Sequence, residues 1–392
     1  MLIDSFFDDL PELDPVIFHE QTAYGWRGLT TQGEVLEVKS PNGNAIEVPS
    51  EITMMHAGKA YGRRAVRNAL AVDIDDYLQH FNRAVALYRD NRLDEALSEA
   101  DEAVNTAPTL RAKFNRAMIL LSAGRWCDGF EEYLRCEEFP PFMRSQVHAA
   151  LGRGLKPWRG DDLRGKRLLL LHAHGFGDTI MMLRYLPKLV EMGAEIVMEM
   201  PPALQRLTKS WSHGSDGDYF CPILHLLHYL DVTPDSVDCS PYIAVDSDLL
   251  KQRHVLAHRT KVGIAWSVGK PHDGDFPREI ALIELVGAFD RGEVELHSVQ
   301  LQDADEARRL GVQVHEFDDF ADCAALMMQM DMIVSVDTAA LHLAGAIGHP
   351  HVCGLLSHWA SWRWLSPWYA NVKFCRQTSA DDWSSALAQL KV

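Results

Sequence analysis

A glycine pair followed by an aspartate is the first group of residues that could carry out chemistry. It lies in LLLLHAHGFGDTIMMLRYLPKL (168–189), which predicts a buried strand, a tight turn and an amphipathic helix. Such a turn often holds a phosphate at the helix N-terminus, yet Asp178 places a negative charge there. This carboxylate could act as a general base, or it could be the N-cap of the helix. His174 is a second candidate base. The other candidate residues of this loop are Gly175, Gly177 and Arg184.

A second helix start could bind an anion. SVDTAALHLAGAIGHP (335–350) predicts a strand that ends at Val336 and a helix that begins near Thr338. The first-turn amides and the Thr338 hydroxyl would face the carboxyl end of the strand, where they could hold a phosphate. The flanking candidates are Asp337, Ala339 and His342. The alternative is a capped, well-packed helix that contains one hydrogen-bonded histidine.

Two further segments carry groups suited to a nucleotide. WSVGKPHDGDFPRE (266–279) follows a predicted strand, and its charged side chains could pair with a diphosphate or simply be solvated. Those side chains are Lys270, His272, Asp275 and Arg278. SHWASWRWLSPWYANVKFCRQ (357–377) holds Trp359, Trp362, Trp364 and Trp368. These rings could form a platform for a base or sugar, or a hydrophobic cover over the core.

Predicted strands alternate with predicted helices from residue 160 onward, which indicates parallel sheets with crossover helices. We expect an α/β fold of two Rossmann-like domains that face a cleft. The first would span residues 160–255, and the second would span residues 256–392 and end in a closing helix. Ligands bind at the carboxyl ends of the strands in such domains, and the candidate residues fall there.

The region before these domains divides into two parts. Residues 1–75 show no functional pattern, but VLEVKSPNGNAIEVP (35–49) alternates around Asn42-Gly43 and predicts a β-hairpin. Residues 76–150 contain FNRA twice, 33 residues apart, and each copy is part of a pair of amphipathic helices. This interval is close to the tetratricopeptide period. Such helices could form a docking groove for a protein or serve as a structural brace.

The composition excludes several classes of partner. A net charge of −17 argues against nucleic acid and anionic membranes, since both require basic residues. No apolar run is long enough for a transmembrane helix, and the acidic N-terminus is unlike a secretory signal, so we expect a cytoplasmic protein. The cysteines are scattered without a CxxC pair, which favours free thiols over a structural metal site.

Taken in order, these segments resemble a bacterial family of tetratricopeptide-repeat proteins that carry a glycosyltransferase family 9-like domain of the heptosyltransferase type. The resemblance runs from about residue 80 to the C-terminus. It rests on PW-x-G-x-x-L-x-G-K, GFGD followed by LRYLPKL, G-x-x-W-S, VDTAALHLAGAIG, WRWL and SPWY. It implies a GT-B fold, with an acceptor site in the first Rossmann-like domain and a nucleotide-sugar site in the second. Gly175, Gly177 and Arg184 would then lie on the acceptor side.

The resemblance also implies an inverting, metal-independent enzyme in which Asp178 is the general base. The implied donor residues are Lys270, His272, Asp275, Arg278, Asp337, Thr338, Ala339 and His342. The chain departs from the family pattern at Ala173-His174, Val268-Gly269, Gly274-Asp275 and Arg278-Glu279, which leaves the donor open. Asp216-Gly217-Asp218 has the spelling of a metal-binding DxD motif, but it lies outside the predicted donor domain.

We expect a glycosyltransferase that moves a sugar from a nucleotide sugar to a hydroxyl of a protein or saccharide, without a metal or other cofactor. The alternative is a tetratricopeptide scaffold whose degenerate transferase domain binds a nucleotide without turnover. The retained Asp178 and Thr338 favour the enzyme, whereas the altered loop at 268–279 favours the scaffold. A third interpretation is a GT-B-type sugar-nucleotide epimerase, which would need no acceptor.

Overall fold

The structure is a computed structural model. It describes residues 16–22, 25–30, 35–39, 51–56, 59–137, 145–172, 174–252, 255, 258–268, 278–359, 361–366 and 368–390. The chain divides into two compact units, Met1–Pro140 and Pro141–Val392. No helix among the described residues combines the length and apolar character needed to cross a bilayer.

The first unit contains a five-stranded sheet. Its strands are β1 Val16–Thr22, β2 Gly25–Thr30, β3 Val35–Lys39, β4 Glu51–His56 and β5 Lys59–Ala71. They lie in the order β3-β2-β1-β5-β4, and only the β1–β5 pair is parallel. The first arm of the predicted hairpin coincides with β3, which pairs with β2. Asn42-Gly43 and the second arm lie outside the described residues.

Four helices follow this sheet and form two helical hairpins. They are α1 Ile74–Arg89, α2 Leu93–Thr106, α3 Leu110–Ser122 and α4 Trp126–Glu137. The two FNRA copies lie in α1 and α3. The hairpins turn at Asn91 and Gly124, whose φ angles are +58° and +76°. The predicted helix pairs are confirmed, whereas their assignment to tetratricopeptide repeats stays a prediction.

The first half of the second unit is a parallel α/β sheet. Its elements are α5 Ser145–Gly152, β6 Lys156–Pro157, β7 Lys166–Leu171, α6 Phe176–Met182, α7 Leu186–Glu191, β8 Ala194–Glu199, α8 Pro202–Gln205, β9 Ser212–His213, β10 Tyr219–Pro222, α9 Leu226–Tyr229 and α10 Ser247–Gln252. The strand order is β6-β10-β7-β8-β9, and every pair is parallel. Leu168 to Leu171 in β7 are fully buried, so this strand forms the centre of the core.

The second half is a six-stranded parallel sheet. Its elements are β11 Thr260–Ala265, α11 Leu282–Gly287, β12 Val294–Ser298, α12 Ala304–Arg309, β13 Gln313–Val314, α13 Phe320–Met327, β14 Met332–Val336, α14 Ala339–Ala346, β15 Val352–Leu356, β16 Val372–Arg376 and α15 Trp383–Leu387. The order β13-β12-β11-β14-β15-β16 is that of a dinucleotide-binding sheet. The predicted alternation and parallel pairing are therefore confirmed in both halves.

Several element boundaries differ from those expected. The predicted helix from Thr179 to Gly193 is split into α6 and α7 by a 3₁₀ turn at Leu183–Tyr185. Pro187 explains the break, because it cannot donate the main-chain hydrogen bond that a continuous helix needs. Gly311, with a φ of +72°, lies between α12 and β13. β16, which lies within the tryptophan-rich segment, was missed.

Gly129 offers a test of how the second helical hairpin packs. A Cβ atom at this position in α4 would lie 2.8 Å from Cγ of Leu121 in α3, so Gly129→Ala must push the helices apart. We expect this change to lower the free energy of unfolding by about 1–3 kcal/mol, even though alanine favours a helix. Gly287→Ala in α11 is the control, since its Cβ meets no atom within 4 Å. Denaturant unfolding that leaves Gly129→Ala as stable as the control would contradict this packing.

Candidate active site

The candidate residues that the structure describes lie near the carboxyl edges of the two parallel sheets. In the second half, the strands that follow β11 are added on one side of it, and β14 and the strands after it are added on the other side. A crevice therefore opens between the carboxyl ends of β11 and β14. α14 begins just beyond β14, and Arg278 belongs to the connection that follows β11. In the first half, β7 and β10 are the corresponding strands, and α6 follows β7. In each half, the candidate residues that the structure describes therefore follow the strands where the sequence predicts them.

Asp178 is the third residue of α6 and not its N-cap, which corrects one of the two expectations for this residue. Gly175 is the N-cap, and its N–H donates to Oδ2 of Asp178 at 3.3 Å. The other carboxylate oxygen accepts a hydrogen bond from Nε of Arg363 at 2.5 Å. Asp178 is only 8% exposed. A partly buried ion pair thus joins the first half of the unit to the second.

This ion pair controls the proton affinity of Asp178. Burial by itself would raise the pKa of the carboxyl group. The positive charges of Arg363 and His174, together with the hydrogen bond from Arg363, outweigh burial and lower the pKa to about 2. The group is therefore ionised near neutral pH, but it holds a proton weakly while Arg363 pairs with it.

The two halves touch where α6 meets α14. A Cβ atom on Gly177 would lie 2.6 Å from Cδ2 of His342 and 3.5 Å from Cα of Ala339. A glycine is needed here because the imidazole ring of the opposite half fills the space that a side chain would take. The structure therefore gives Gly177 a close contact within the protein, whereas the sequence analysis placed it beside an acceptor.

His342 is enclosed by aromatic rings. It is 3% exposed, its Nδ1 atom lies 3.0 Å from the hydroxyl of Tyr369, and its ring stacks on Trp364 with centroids 4.3 Å apart. Burial lowers the pKa of His342 to about 3, against the opposing effect of Asp178. A neutral, enclosed imidazole packs the junction of the two halves and carries no positive charge for a phosphate.

Thr338 is the N-cap of α14, which confirms the predicted helix start. Its Oγ1 atom accepts a hydrogen bond from the N–H of Ala340 at 3.2 Å and lies 3.1 Å from Oγ of Ser335. Asp337 faces Arg278 across 3.6 Å. The hydroxyl of the predicted anion site is thus engaged in capping, and an arginine stands beside it. Three predicted donor residues, Lys270, His272 and Asp275, lie outside the described residues.

Arg184 connects the first half to the aromatic segment. Its Nη1 atom donates to the main-chain oxygens of Asp238 and Trp368 at 2.7 and 2.8 Å. Its guanidinium lies 4.6 and 4.9 Å from the ring centres of Tyr242 and Tyr369. These contacts occupy the side chain within the protein, so in this structure Arg184 acts as a brace and does not face an acceptor.

The tryptophan-rich segment covers the core. Trp362, Trp364 and Trp368 are all buried, and the rings of Trp362 and Trp368 meet edge to face at 6.3 Å. Buried rings of this kind are not presented to a base or sugar. The structure therefore favours the hydrophobic cover over the ligand platform for these three residues.

Arg363 is the main residue that the sequence analysis missed. It lies in the 3₁₀ turn Trp362–Trp364, and the motif WRWL was noted only for its tryptophans. A signal was present, because an arginine within an apolar segment needs hydrogen-bond acceptors or an anionic partner when it is largely buried. The identity of that partner has no local signal, since Asp178 is 185 residues away.

Two further contacts between the halves were missed. Arg206, just after α8, binds Asp319 with Nη2 to Oδ1 at 2.9 Å and also lies 2.7 Å from Asp322 at the start of α13. The rings of Phe176 and Phe320 lie 5.1 Å apart. Together with the Asp178–Arg363 pair, these contacts hold the two carboxyl edges against each other.

The segment Asp216-Gly217-Asp218 lies at the opposite edge of the first sheet. Asp218 accepts a hydrogen bond from the main-chain N–H of Arg167, and Asp216 accepts one from its Nη1 atom, both at 2.9 Å. Arg167 is the second residue of β7, so these carboxylates lie at the amino ends of the strands. This position agrees with their exclusion from the donor site.

Comparison with known proteins gives a fold-level likeness. No family model matches the chain. Protein FlbA of Caulobacter vibrioides is 24% identical over 346 residues, which cover 75% of this chain and 57% of that protein, so the chain spans less than two thirds of this relative. A glycosyl transferase family 9 structure from Veillonella parvula DSM 2008 is 12% identical with a TM-score of 0.44, covering 55% of this chain and 87% of that one.

The ADP-heptose lps heptosyltransferase II of E. coli is also similar. It is 10% identical with a TM-score of 0.41, and the match covers 57% of this chain and 96% of that one. At such identities and scores, the fold of the second unit is established by its own strand orders. Any function has to be argued from the residues at the junction of the two halves.

The ion pair of Asp178 predicts a specific dependence of stability on pH. The folded pKa of about 2 lies below the ordinary value of 3.8, so the contribution is present above 3.8 and is lost as the pH falls through about 2. The shift corresponds to on the order of 2 kcal/mol. The difference in unfolding free energy between the native protein and Asp178→Asn should therefore shrink as the pH is lowered from about 5 to 3.

Equilibrium unfolding in guanidinium chloride at several pH values measures this difference in unfolding free energy. Asp305→Asn is the matched control, because the Asp305 side chain is 92% exposed. A difference between the native protein and Asp178→Asn that stays constant down to pH 3 would show that Arg363 does not hold the carboxylate in its ionised form.

Proposed function

We propose that this chain is a GT-B-type glycosyltransferase that moves a sugar, with inversion, from a nucleotide sugar to an acceptor hydroxyl. One observation carries the proposal. Two parallel α/β halves meet at their carboxyl edges, where a Cβ atom on Gly177, the residue before Asp178, would lie 3.5 Å from Cα of Ala339 in the first turn of α14. A base from one half and a phosphate-binding edge from the other are the two parts that glycosyl transfer needs.

The second half is the proposed donor side. The crevice between β11 and β14 is the position where nucleotides bind in sheets of this order. A diphosphate there would meet the amide end of α14, the hydroxyl of Thr338 and the guanidinium of Arg278. The resemblance in sequence adds three residues to this proposed set, namely Lys270, His272 and Asp275. Positive groups of this kind stabilise the charge on the departing diphosphate, so we propose that the reaction needs no metal ion.

The first half is the proposed acceptor side. Asp178 takes the proton of the acceptor hydroxyl, and the freed oxygen forms a bond to the anomeric carbon of the donor sugar. The bond from that carbon to the phosphate oxygen breaks at the same time, and its electron pair leaves with the nucleoside diphosphate. His174 is the second candidate base. The acceptor is a protein or a saccharide, and the helical hairpins of the first unit are candidate docking elements for a protein.

A second function has one observation in its favour. With a pKa of about 2, Asp178 is a weak base as it stands in this structure. A degenerate transferase domain that binds a nucleotide without turnover would tolerate such a residue. The scaffold interpretation therefore predicts binding of a nucleotide and no release of sugar from the nucleotide sugar.

Replacement of Asp178 tests the enzyme against the scaffold. A thermal-shift screen with UDP, GDP, ADP, CMP and dTDP sugars identifies the donor, since a bound ligand raises the melting temperature. The native protein should then release sugar from that donor, and Asp178→Asn should do so about 100-fold or more slowly while still binding it. Asp305→Asn serves as the control.

The outcomes separate the two functions. Donor binding without turnover by the native protein would support the scaffold. Turnover of Asp178→Asn at the native rate would remove Asp178 as the base and leave His174 as the remaining candidate.

A further inference from the structure

The ion pair between Asp178 and Arg363 is an unusual setting for a base, because a strong partner neutralises it before any substrate is present. The pair also crosses the junction between the halves, with Asp178 on α6 and Arg363 on the 3₁₀ turn Trp362–Trp364. On the proposed function, the arginine therefore belongs to the donor half and the aspartate to the acceptor half.

We propose that Arg363 changes its anionic partner during the reaction, pairing with Asp178 before the donor binds and with the donor diphosphate afterwards. This inference rests on the proposed function and deepens it. Transfer of the guanidinium to the diphosphate would release Asp178 as a base only when a donor is in place. Arg363 would then bind the diphosphate of the nucleotide sugar and would also couple this binding to deprotonation of the acceptor.

Arg363 is held in position independently of Asp178. Its guanidinium lies 4.6 Å from the ring centre of Trp362, and its Nη1 atom donates to Oγ of Ser361 at 3.3 Å. The side chain is 20% exposed, compared with 10% for that of Asp178, so the guanidinium is the more accessible member of the pair. A diphosphate could therefore reach the arginine without first displacing the aspartate.

A diphosphate is the stronger competitor for this guanidinium. It carries more negative charge than one carboxylate, and its several oxygens can accept hydrogen bonds from the N–H groups of the planar guanidinium. Positive charge is also concentrated around this point, since Arg363, Arg184 and Arg278 all lower the pKa of the neighbouring His342. Arg278 shows the same arrangement as Arg363, because it faces the carboxylate of Asp337.

Asp178 remains in position when the arginine leaves. Its Oδ2 atom accepts the N–H of Gly175, a main-chain contact that does not depend on Arg363. Loss of the arginine removes the main influence that lowers the pKa of Asp178, whereas burial, which raises the pKa, stays. The exchange thus converts a weakly basic carboxylate into one able to accept a proton.

The exchange makes an uncommon prediction for nucleotide affinity. In the native protein, a diphosphate competes with Asp178 for Arg363. Asp178→Asn removes this competition and should tighten binding of the nucleoside diphosphate by about three- to tenfold. Arg363→Gln should weaken it by about tenfold or more and leave binding of the matching nucleoside unchanged. In the Arg363→Gln background, Asp178→Asn should change the affinity by less than about twofold.

Isothermal titration calorimetry with UDP, GDP, ADP and dTDP, and with the matching nucleosides, measures these affinities. The proteins are the native chain, the two single variants and the double variant. The double variant leaves no buried charge without a partner, and Arg363→Lys keeps the positive charge, so the test does not depend on the folding of Arg363→Gln alone. Arg308→Gln is the control, because Arg308 is an exposed arginine paired with Asp305.

The results distinguish this inference from the proposed function. The exchange is overturned if Asp178→Asn binds the diphosphate no more tightly than the native protein, or if its gain is equal with and without Arg363. An equal gain would mean that Asp178 merely repels the phosphate. If Arg363→Gln binds the diphosphate normally, only the exchange fails. If no nucleoside diphosphate binds the native protein, the proposed function fails with it.

Discussion

The partly buried pair between Asp178 and Arg363 is the interaction on which the rest of this site depends. It joins α6 to the tryptophan-rich turn at 2.5 Å and fixes the charge of the residue best placed to act as a base. Two charges removed from water are stable only while they remain paired. This contact therefore lowers the proton affinity of Asp178 and is one of the contacts that join the two halves.

Close packing around this pair explains several small and aromatic residues. Gly177 leaves room for the ring of His342, and a Cβ atom on Gly345 in α14 would lie 2.4 Å from Cγ of Tyr369. Tyr369 in turn reaches Nδ1 of His342 at 3.0 Å. Gly177 therefore serves the fit between the halves, whereas Gly345 serves the packing of α14 on the aromatic segment of the same half.

Local patterns predicted the elements well, because they depend on neighbouring residues. The strand before Val336, the cap at Thr338 and the helix that follows are as expected. The interrupted helix at Pro187 was missed, although its cause is local. The partners of Asp178 and Arg206 were not predicted. They lie 185 and 113 residues away, and no local sequence pattern shows which distant charges meet. Burial of the tryptophans likewise depends on how the two sheets pack.

The titration of Asp178 itself tests the central claim, that its basicity depends on whether Arg363 is bound to it. The carboxyl carbon can be followed by NMR between about pH 4 and 8 and assigned with Asp178→Asn. Without ligand, the signal should stay that of a carboxylate, because the pKa is about 2. With a saturating nucleoside diphosphate, chosen from UDP, GDP, ADP and dTDP, the carboxylate should take up a proton with a midpoint above about pH 4. A carboxylate that remains ionised over this range with the diphosphate bound would contradict the account.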